Sequence, residues 1–196
     1  MQKLVISLVG VVGTGKTTLL RRAEQDRYPV INEDYIAVSG TQYDNRLIMS
    51  KWSWIAHWFE KVSQFFRDNP GCSFVFVDRN VIEAGMWTSN CLPLYSPIEA
   101  ALKELECLGY TFININVKCS KEIVLERVAK RLEIEPERKS FNESNPKFVR
   151  DLFESYSKHS SFWDYELDST NEDAEKLYCK LLEYLYKRTQ LDSFLP

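Results

Sequence analysis

The residues with the types and spacing for chemistry fall in separate stretches of the chain, and all of them suit phosphate. Gly10, Gly15, Lys16 and Thr17 fit the pattern G-x-x-x-x-G-K-[ST], with Gly13, Thr14 and Thr18 inside or beside it. Glycines let a backbone curl around a phosphate with its N–H groups pointing inward. A lysine at this place brings a point charge to the β and γ phosphates, and the hydroxyl after it suits Mg²⁺. Asp78 and Arg79 end a second apolar stretch. In a phosphate-loop protein the acidic group there reaches Mg²⁺ directly or through water, and the guanidinium beside it binds phosphate oxygens with its fork of donors. Glu33 follows another short apolar stretch, between Asn32 and Asp34. Arg127 and Arg131 are four apart and share a helix face, with Lys130, Arg138 and Lys139 close by. Such arginines clamp the charge that develops on a moving phosphoryl group.

The elements that must position these residues follow from the patterning. Lys3 to Val9 is apolar nearly throughout, as a strand buried on both sheet faces should be. A helix follows the glycine-rich turn and ends near Asp26 or Arg27, and its N-terminal dipole favours an anion. Tyr28 to Ile31 reads as a second strand with Glu33 at its carboxyl edge, where open parallel sheets bind ligands. Tyr35 to Thr41 is read as irregular and Arg46 to Phe66 as a long helix. Its stripe of Ile48, Trp52, Ile55, Phe59, Val62 and Phe66 is expected in the core, and Trp54, His57, Trp58 and Lys61 toward a cleft. Ser73 to Val77 is a third strand, and Val81 to Asn90 a loop or broken helix around Gly85. A helix from Ser96 to Leu108 is expected, capped by Ser96 and stopped by Gly109. Tyr110 to Val117 is a fourth strand, and Ser120 caps a helix over Lys121 to Leu132. The polar segment Glu133 to Asn145 reads as a mobile flap. Pro146 to Trp163 is helical, Tyr165 to Asp168 a fifth strand, and Ala174 to Lys187 a last, capped helix. Strands alternating with helices predict an α/β domain of three layers around a parallel sheet.

The whole chain sets bounds on function. Its 196 residues suit one domain, with 44% hydrophobic and 27% charged residues. A net charge of −3 gives no general nucleic-acid footprint. The tryptophans are read mainly as core, a few of them available to stack on a base. Five cysteines, none in a C-x-x-C pair, argue against a disulfide framework or a zinc site and for a reducing compartment. With no signal peptide and no apolar run of membrane length, a soluble, cytoplasmic protein is expected. Strand four ends Val117-Lys118-Cys119-Ser120, without the Asn-Lys-x-Asp by which small GTPases read guanine.

Over nearly its whole length the chain resembles the deoxynucleoside kinase and nucleoside monophosphate kinase group of phosphate-loop kinases. Gly10 to Thr18 resembles the phosphate loop of that group. Glu33 falls where deoxynucleoside kinases carry the Glu that accepts the proton of the substrate 5′-hydroxyl. Asp78-Arg79-Asn80 resembles both their Glu-Arg-Ser and the Asp-Arg-Tyr of thymidylate kinases. Glu126-Arg127 to Arg131 resembles the arginine-bearing lid, about residues 127–145. Leu152 to Trp163, with Tyr156, Lys158, His159 and Trp163, looks like the helix that follows it. The departures are Glu133 where a third lid arginine is usual, with Arg138 the candidate replacement, and no evident base-reading Gln, Ala56 and His57 standing in that region. The resemblance implies a phosphate-loop fold with a five-stranded parallel sheet and a helical lid, ATP and Mg²⁺ as cofactors, and a possible homodimer. It implies Lys16 and the loop amides on the phosphates, Thr17 and Asp78 on the metal, Glu33 as base, and Arg79, Arg127 and Arg131 on the transferred group. It places Ser169 to Asp173 against the donor base. The expected activity is phosphoryl transfer to a nucleoside 5′-hydroxyl. The alternatives are transfer to a nucleoside monophosphate, thymidylate first, and a nucleotide-binding regulator without turnover.

Overall fold

The computed structural model describes residues 2–33, 48–87 and 92–194. The readings of Asp34, of Tyr35 to Thr41 and of Arg46 therefore lie outside the described residues. Strand β1 (Lys3–Val9) leads through the glycine-rich turn into helix α1 (Lys16–Gln25). There follow β2 (Val30–Ile31), α2 (Ile48–Asp68), β3 (Phe74–Asp78), the single turn α3 (Glu83–Met86), α4 (Leu92–Cys107) and β4 (Tyr110–Lys118). Then come α5 (Lys121–Ile134), a 3-10 segment over Pro136–Phe141, α6 (Pro146–Lys158), β5 (Tyr165–Asp168) and α7 (Ala174–Thr189).

All strands pair in parallel, in the order β2-β3-β1-β4-β5. β1 is central and shows why an unbroken apolar run is needed there. Leu4, Ile6 and Leu8 pack into one core with Leu19 and Leu20 of α1 and Leu181 and Leu185 of α7. Val5 and Val9 enter the other core with Trp54, Trp58 and Val62 of α2 and Val124 and Val128 of α5. Successive residues of a strand face opposite sides, so a strand covered on both faces cannot alternate with polar residues. This is the three-layer α/β architecture, with a five-stranded parallel sheet, that the alternation of elements predicts.

Register sets the functional edge. Leu8 pairs with Asp78 on β3, and Val9 with Asn116 on β4. Ile31 of β2 pairs with Val77, so the same register carried past the strand ends brings Glu33 level with Arg79. The turn after β1, the end of β3 and the end of β2 thus open on one side, outside the carboxyl ends of the strands.

Some expectations are corrected. On α2 the buried stripe is Lys51, Trp54, Ile55, Trp58, Val62 and Phe66. Trp54 and Trp58 are 2% and 5% exposed, whereas Ile48, expected in the core, is 41% exposed. Both stripes share Ile55, Val62 and Phe66, and aromatic residues on both faces left the period ambiguous. The indole N–H of Trp58 settles it by donating to the Arg79 carbonyl at 3.1 Å. Helix α4 starts at Leu92 and runs through Pro97, with Ser96 inside it and not a cap. Leu94 and Ile98, buried four residues apart, carry its apolar face across the proline. Helix α6 ends at Lys158, and Ser160–Phe162 is a separate 3-10 turn. The segment read as a flap carries the end of α5 and the 3-10 segment Pro136–Phe141, which leaves its reading as a flap untouched. Ser120 caps α5 as expected, accepting from the N–H of Ile123, and the cap expected on the last helix is Asp173, accepting from the N–H of Lys176. Among the described residues no helix is long and apolar enough to cross a membrane.

Candidate active site

A cleft of about 860 Å³ lies at this edge, and Gly13 to Thr18, Glu33, Asp78, Arg79, Arg127 and Arg131 all line it. Gly10 does not line it but supports it from below. The Gly10 carbonyl accepts from the Lys16 ammonium at 2.7 Å and from Arg79 Nη1 at 3.4 Å. Lys16 also reaches the Val11 carbonyl at 3.0 Å. Gly10 has φ 138°, and a Cβ there would stand 2.4 Å from the Val117 carbonyl oxygen on β4. A glycine is thus required by backbone strain and by contact together. Gly10→Ala is expected to lose on the order of 2–3 kcal/mol of stability, measurable as a lower midpoint in urea; an unchanged midpoint would contradict this packing.

Lys16 and Asp78 are both buried under the turn. Burial lowers the Lys16 pKa to about 8, helped by the Arg79 charge and opposed by Glu83, Asp78 and Glu33. Burial raises the Asp78 pKa to about 6, with Arg79 and Lys16 pulling it back. Asp78 Oδ1 is buried with no hydrogen-bond partner. A carboxylate oxygen left so is expensive unless a cation or donor meets it, and Thr17 stands exposed on the same cleft. These two oxygens fit Mg²⁺, which takes few protein ligands and arrives with substrate phosphates. No cluster of three His, Cys, Asp or Glu side chains suited to a resident metal occurs among the described residues.

Arg79 is held from several sides. Its backbone is left-handed, φ 73°, a costly state for a residue with a side chain. Its N–H donates to the Leu8 carbonyl at 3.0 Å, and its own carbonyl accepts from Trp58. Its Nε lies 2.8 Å from Glu33 Oε1, charge against charge without hydrogen-bond alignment. Nη1 pairs with Glu83 at 3.2 Å, and the guanidinium lies 4.8 Å from the Trp87 ring centroid. Burial opposes its charge, but Glu33 and Glu83 hold its pKa well above the usual range.

The later arginines reach the cleft in different states. Arg127 donates to the Gly13 carbonyl at 3.3 Å. Arg131 Nε lies 3.2 Å from Glu135, which Arg138 also engages, and Arg138 holds Glu143 at 3.0 Å. Arg138 lines the cleft, as the replacement for Glu133 would have to, but is paired with acids of its own segment. Of the residues on α2 expected to face the cleft, Lys61 reaches its rim, donating to the Asn32 carbonyl at 3.2 Å, while Trp54 and Trp58 are core.

Sequence reasoning missed Glu83, Glu135 and Ser169. Ser169 Oγ donates to the Thr14 carbonyl at 2.8 Å and so ties the loop after β5 to the glycine-rich turn. Its position in the run Ser169 to Asp173 was a signal only for the loop. Glu83 had none, since an acid within a short apolar helix reads as solvent-facing.

No protein-family model matches the chain, and no curated protein matches its sequence. Among solved structures it is similar to deoxyadenosine kinase from M. mycoides with the products dCMP and a flexible dCDP bound. That match has 14% identity, covers 93% of this chain and 99% of the other, and has a TM-score of 0.55. The same enzyme with bound dATP matches at 15% identity over 92% and 98% of the two chains, TM-score 0.53. At such identities the likeness is one of architecture: this chain has the fold of a deoxyadenosine kinase.

Proposed function

We propose that the protein is a kinase that transfers the terminal phosphoryl group of ATP to the 5′-hydroxyl of a nucleoside or deoxynucleoside. The observation that carries this reading is the arrangement Glu33–Arg79–Gly10. One guanidinium sits 2.8 Å from the carboxylate after β2 and 3.4 Å from the carbonyl that opens the glycine-rich turn. A base for the acceptor is thereby held beside the loop that takes the donor, which is the proximity this chemistry needs.

In this reading the turn amides and Lys16 bind the β and γ phosphates of ATP. Asp78 and Thr17 would hold Mg²⁺, which would neutralise phosphate charge. Glu33 takes the 5′-hydroxyl proton as the oxygen attacks the γ phosphorus and the bond to the β-phosphate oxygen breaks. Arg79, Arg127 and Arg131 stabilise the charge spread over the moving group. The end of α5, the 3-10 segment and the turn to Asn145 act as lid, with the whole chain forming one kinase domain. The likeness in fold to an enzyme seen with dATP, dCMP and dCDP supports a nucleotide and its parent nucleoside as the ligands.

The charge states set a pH window. Lys16, lowered to about 8, carries its charge at neutral pH and loses it above that value; Asp78, raised to about 6, loses its charge below that value. The kcat/KM for ATP with Mg²⁺ is expected to fall on the acid side of about 6 and the alkaline side of about 8. A profile flat across both limbs contradicts these assignments.

The direct test incubates the purified protein with ATP, Mg²⁺ and a panel of nucleosides and nucleoside monophosphates, counting ADP. Turnover on a nucleoside is the expected result. Turnover on monophosphates alone would make it a monophosphate kinase, and ATP binding without turnover would make it a binding protein.

A further inference from the structure

Glu83 has no part in the steps above, yet its carboxylate is fully buried, 0% exposed. A charge this deep is tolerated only when its lone pairs are met by donors. Donors from separate elements converge on it. Oε1 accepts from the Gly10 N–H at 3.2 Å, from Arg79 Nη1 at 3.2 Å and from the Tyr156 hydroxyl on α6. Oε2 accepts from the Asn80 N–H at 3.0 Å. Glu83 therefore fastens the mouth of the glycine-rich turn to the segment after β3 and to α6.

We propose that Glu83 is a positioning residue for phosphoryl transfer, holding the Gly10 end of the phosphate-binding turn and the Arg79 guanidinium in one fixed relation. The inference rests on the kinase reading above. The Gly10 peptide is the hub: its N–H donates to Glu83, and its carbonyl accepts from both Lys16 and Arg79. Arg79 is gripped from two sides, by Glu33 at the cleft and by Glu83 beneath it. Without the lower grip the guanidinium keeps only the Glu33 carboxylate and its long 3.4 Å bond to the Gly10 carbonyl, and the Gly10 N–H loses its acceptor. A glutamine cannot stand in. Its amide group presents donors to one set of the surrounding donors, and its single carbonyl cannot serve both. An aspartate keeps the charge but is one methylene short of spanning the Gly10 and Asn80 N–H groups.

The test compares wild type with Glu83→Gln and Glu83→Asp, with folding checked by circular dichroism and thermal melting. Kinetics are run well below each melting temperature. Positioning predicts that kcat falls by about 30- to 300-fold while the KM for the nucleoside changes less than about threefold, because the lost alignment acts on the charge of the transition state. A residue that only supports packing would lower the melting temperature and leave kcat of the folded protein within twofold; that result overturns the inference. If Glu83→Gln does not fold, Glu83→Asp decides by the same criterion. If wild type turns over neither a nucleoside nor a monophosphate, the kinase reading fails and the part of Glu83 in phosphoryl transfer falls with it. The hold of Glu83 on the turn is then decided by titration calorimetry of ATP with Mg²⁺, where a variant at least about fivefold weaker than wild type upholds that hold and equal affinity overturns it.

Discussion

Replacing Lys16 with methionine is expected to lower kcat/KM for ATP by about 100- to 1,000-fold while leaving the protein folded. Methionine matches the length of the lysine stem and removes only the charge. The ammonium sits within the turn, 2.7 Å from the Gly10 carbonyl and 3.0 Å from the Val11 carbonyl. Both acceptors keep another donor when it is gone. Arg79 remains on Gly10 at 3.4 Å, and the Thr14 hydroxyl on Val11 at 3.0 Å. The substitution thus leaves neither carbonyl orphaned, and burying a charge at this depth is itself unfavourable, as the lowered pKa of about 8 records. Stability is expected to hold or rise, and the loss to fall on phosphate binding. Calorimetry of ATP with Mg²⁺ and an ADP-release assay measure the two separately. A variant that binds and turns over ATP as wild type does would remove Lys16, and with it the glycine-rich turn, from the phosphate site.

Glu33→Gln is expected to reduce turnover on a nucleoside by about 100- to 10,000-fold, the usual range for removing a positioned base, with ATP affinity nearly unchanged. Glutamine fills the same volume and cannot take a proton. Arg79 loses the partner at 2.8 Å but keeps Glu83 at 3.2 Å, so the guanidinium stays in the site. Arg79 stands between Glu33 and the glycine-rich turn, 2.8 Å from the one and 3.4 Å from the Gly10 carbonyl of the other. The discriminating measurement is kcat on the best nucleoside and, separately, on its monophosphate. A monophosphate brings its own charge and needs no strong base, so a mild effect of the substitution would favour that acceptor. A loss confined to ATP affinity would place Glu33 with the donor and refute its role as base.

Local information carried much of this. The glycine-rich turn is contiguous in sequence, and its requirements are backbone requirements: a left-handed or crowded position at Gly10 and a free helix start at Gly15, where φ is 105°. The apolar runs of β1 and β3 and the caps Ser120 and Asp173 are equally local. The face of α2 was not legible. Trp52, Trp54, Trp58 and Phe59 give that helix apolar residues on two adjoining faces, and only the docked sheet and the Trp58 bond to Arg79 choose between them. Helix α4 defeated local reading for a related reason, since burial of Leu94 and Ile98 outweighs the bond missing at Pro97.

The sequence alone determined that a glycine-rich turn of the phosphate-loop pattern sits between a buried strand and a helix, that acids and arginines end the neighbouring strands, and that strands and helices alternate. Those properties depend on residues a few positions apart. What only the tertiary structure decided is which charges meet. Parallel register brings Glu33 level with Arg79, and the burial of α3 turns Glu83 from an unremarked acid into the partner of Gly10, Arg79, Asn80 and Tyr156. It also decided that Arg131 and Arg138 share Glu135. Pairings of this kind join residues far apart in sequence, 73 positions in the case of Gly10 and Glu83. They arise because a charge taken from water must find a partner wherever packing places it, and no local propensity encodes where that will be.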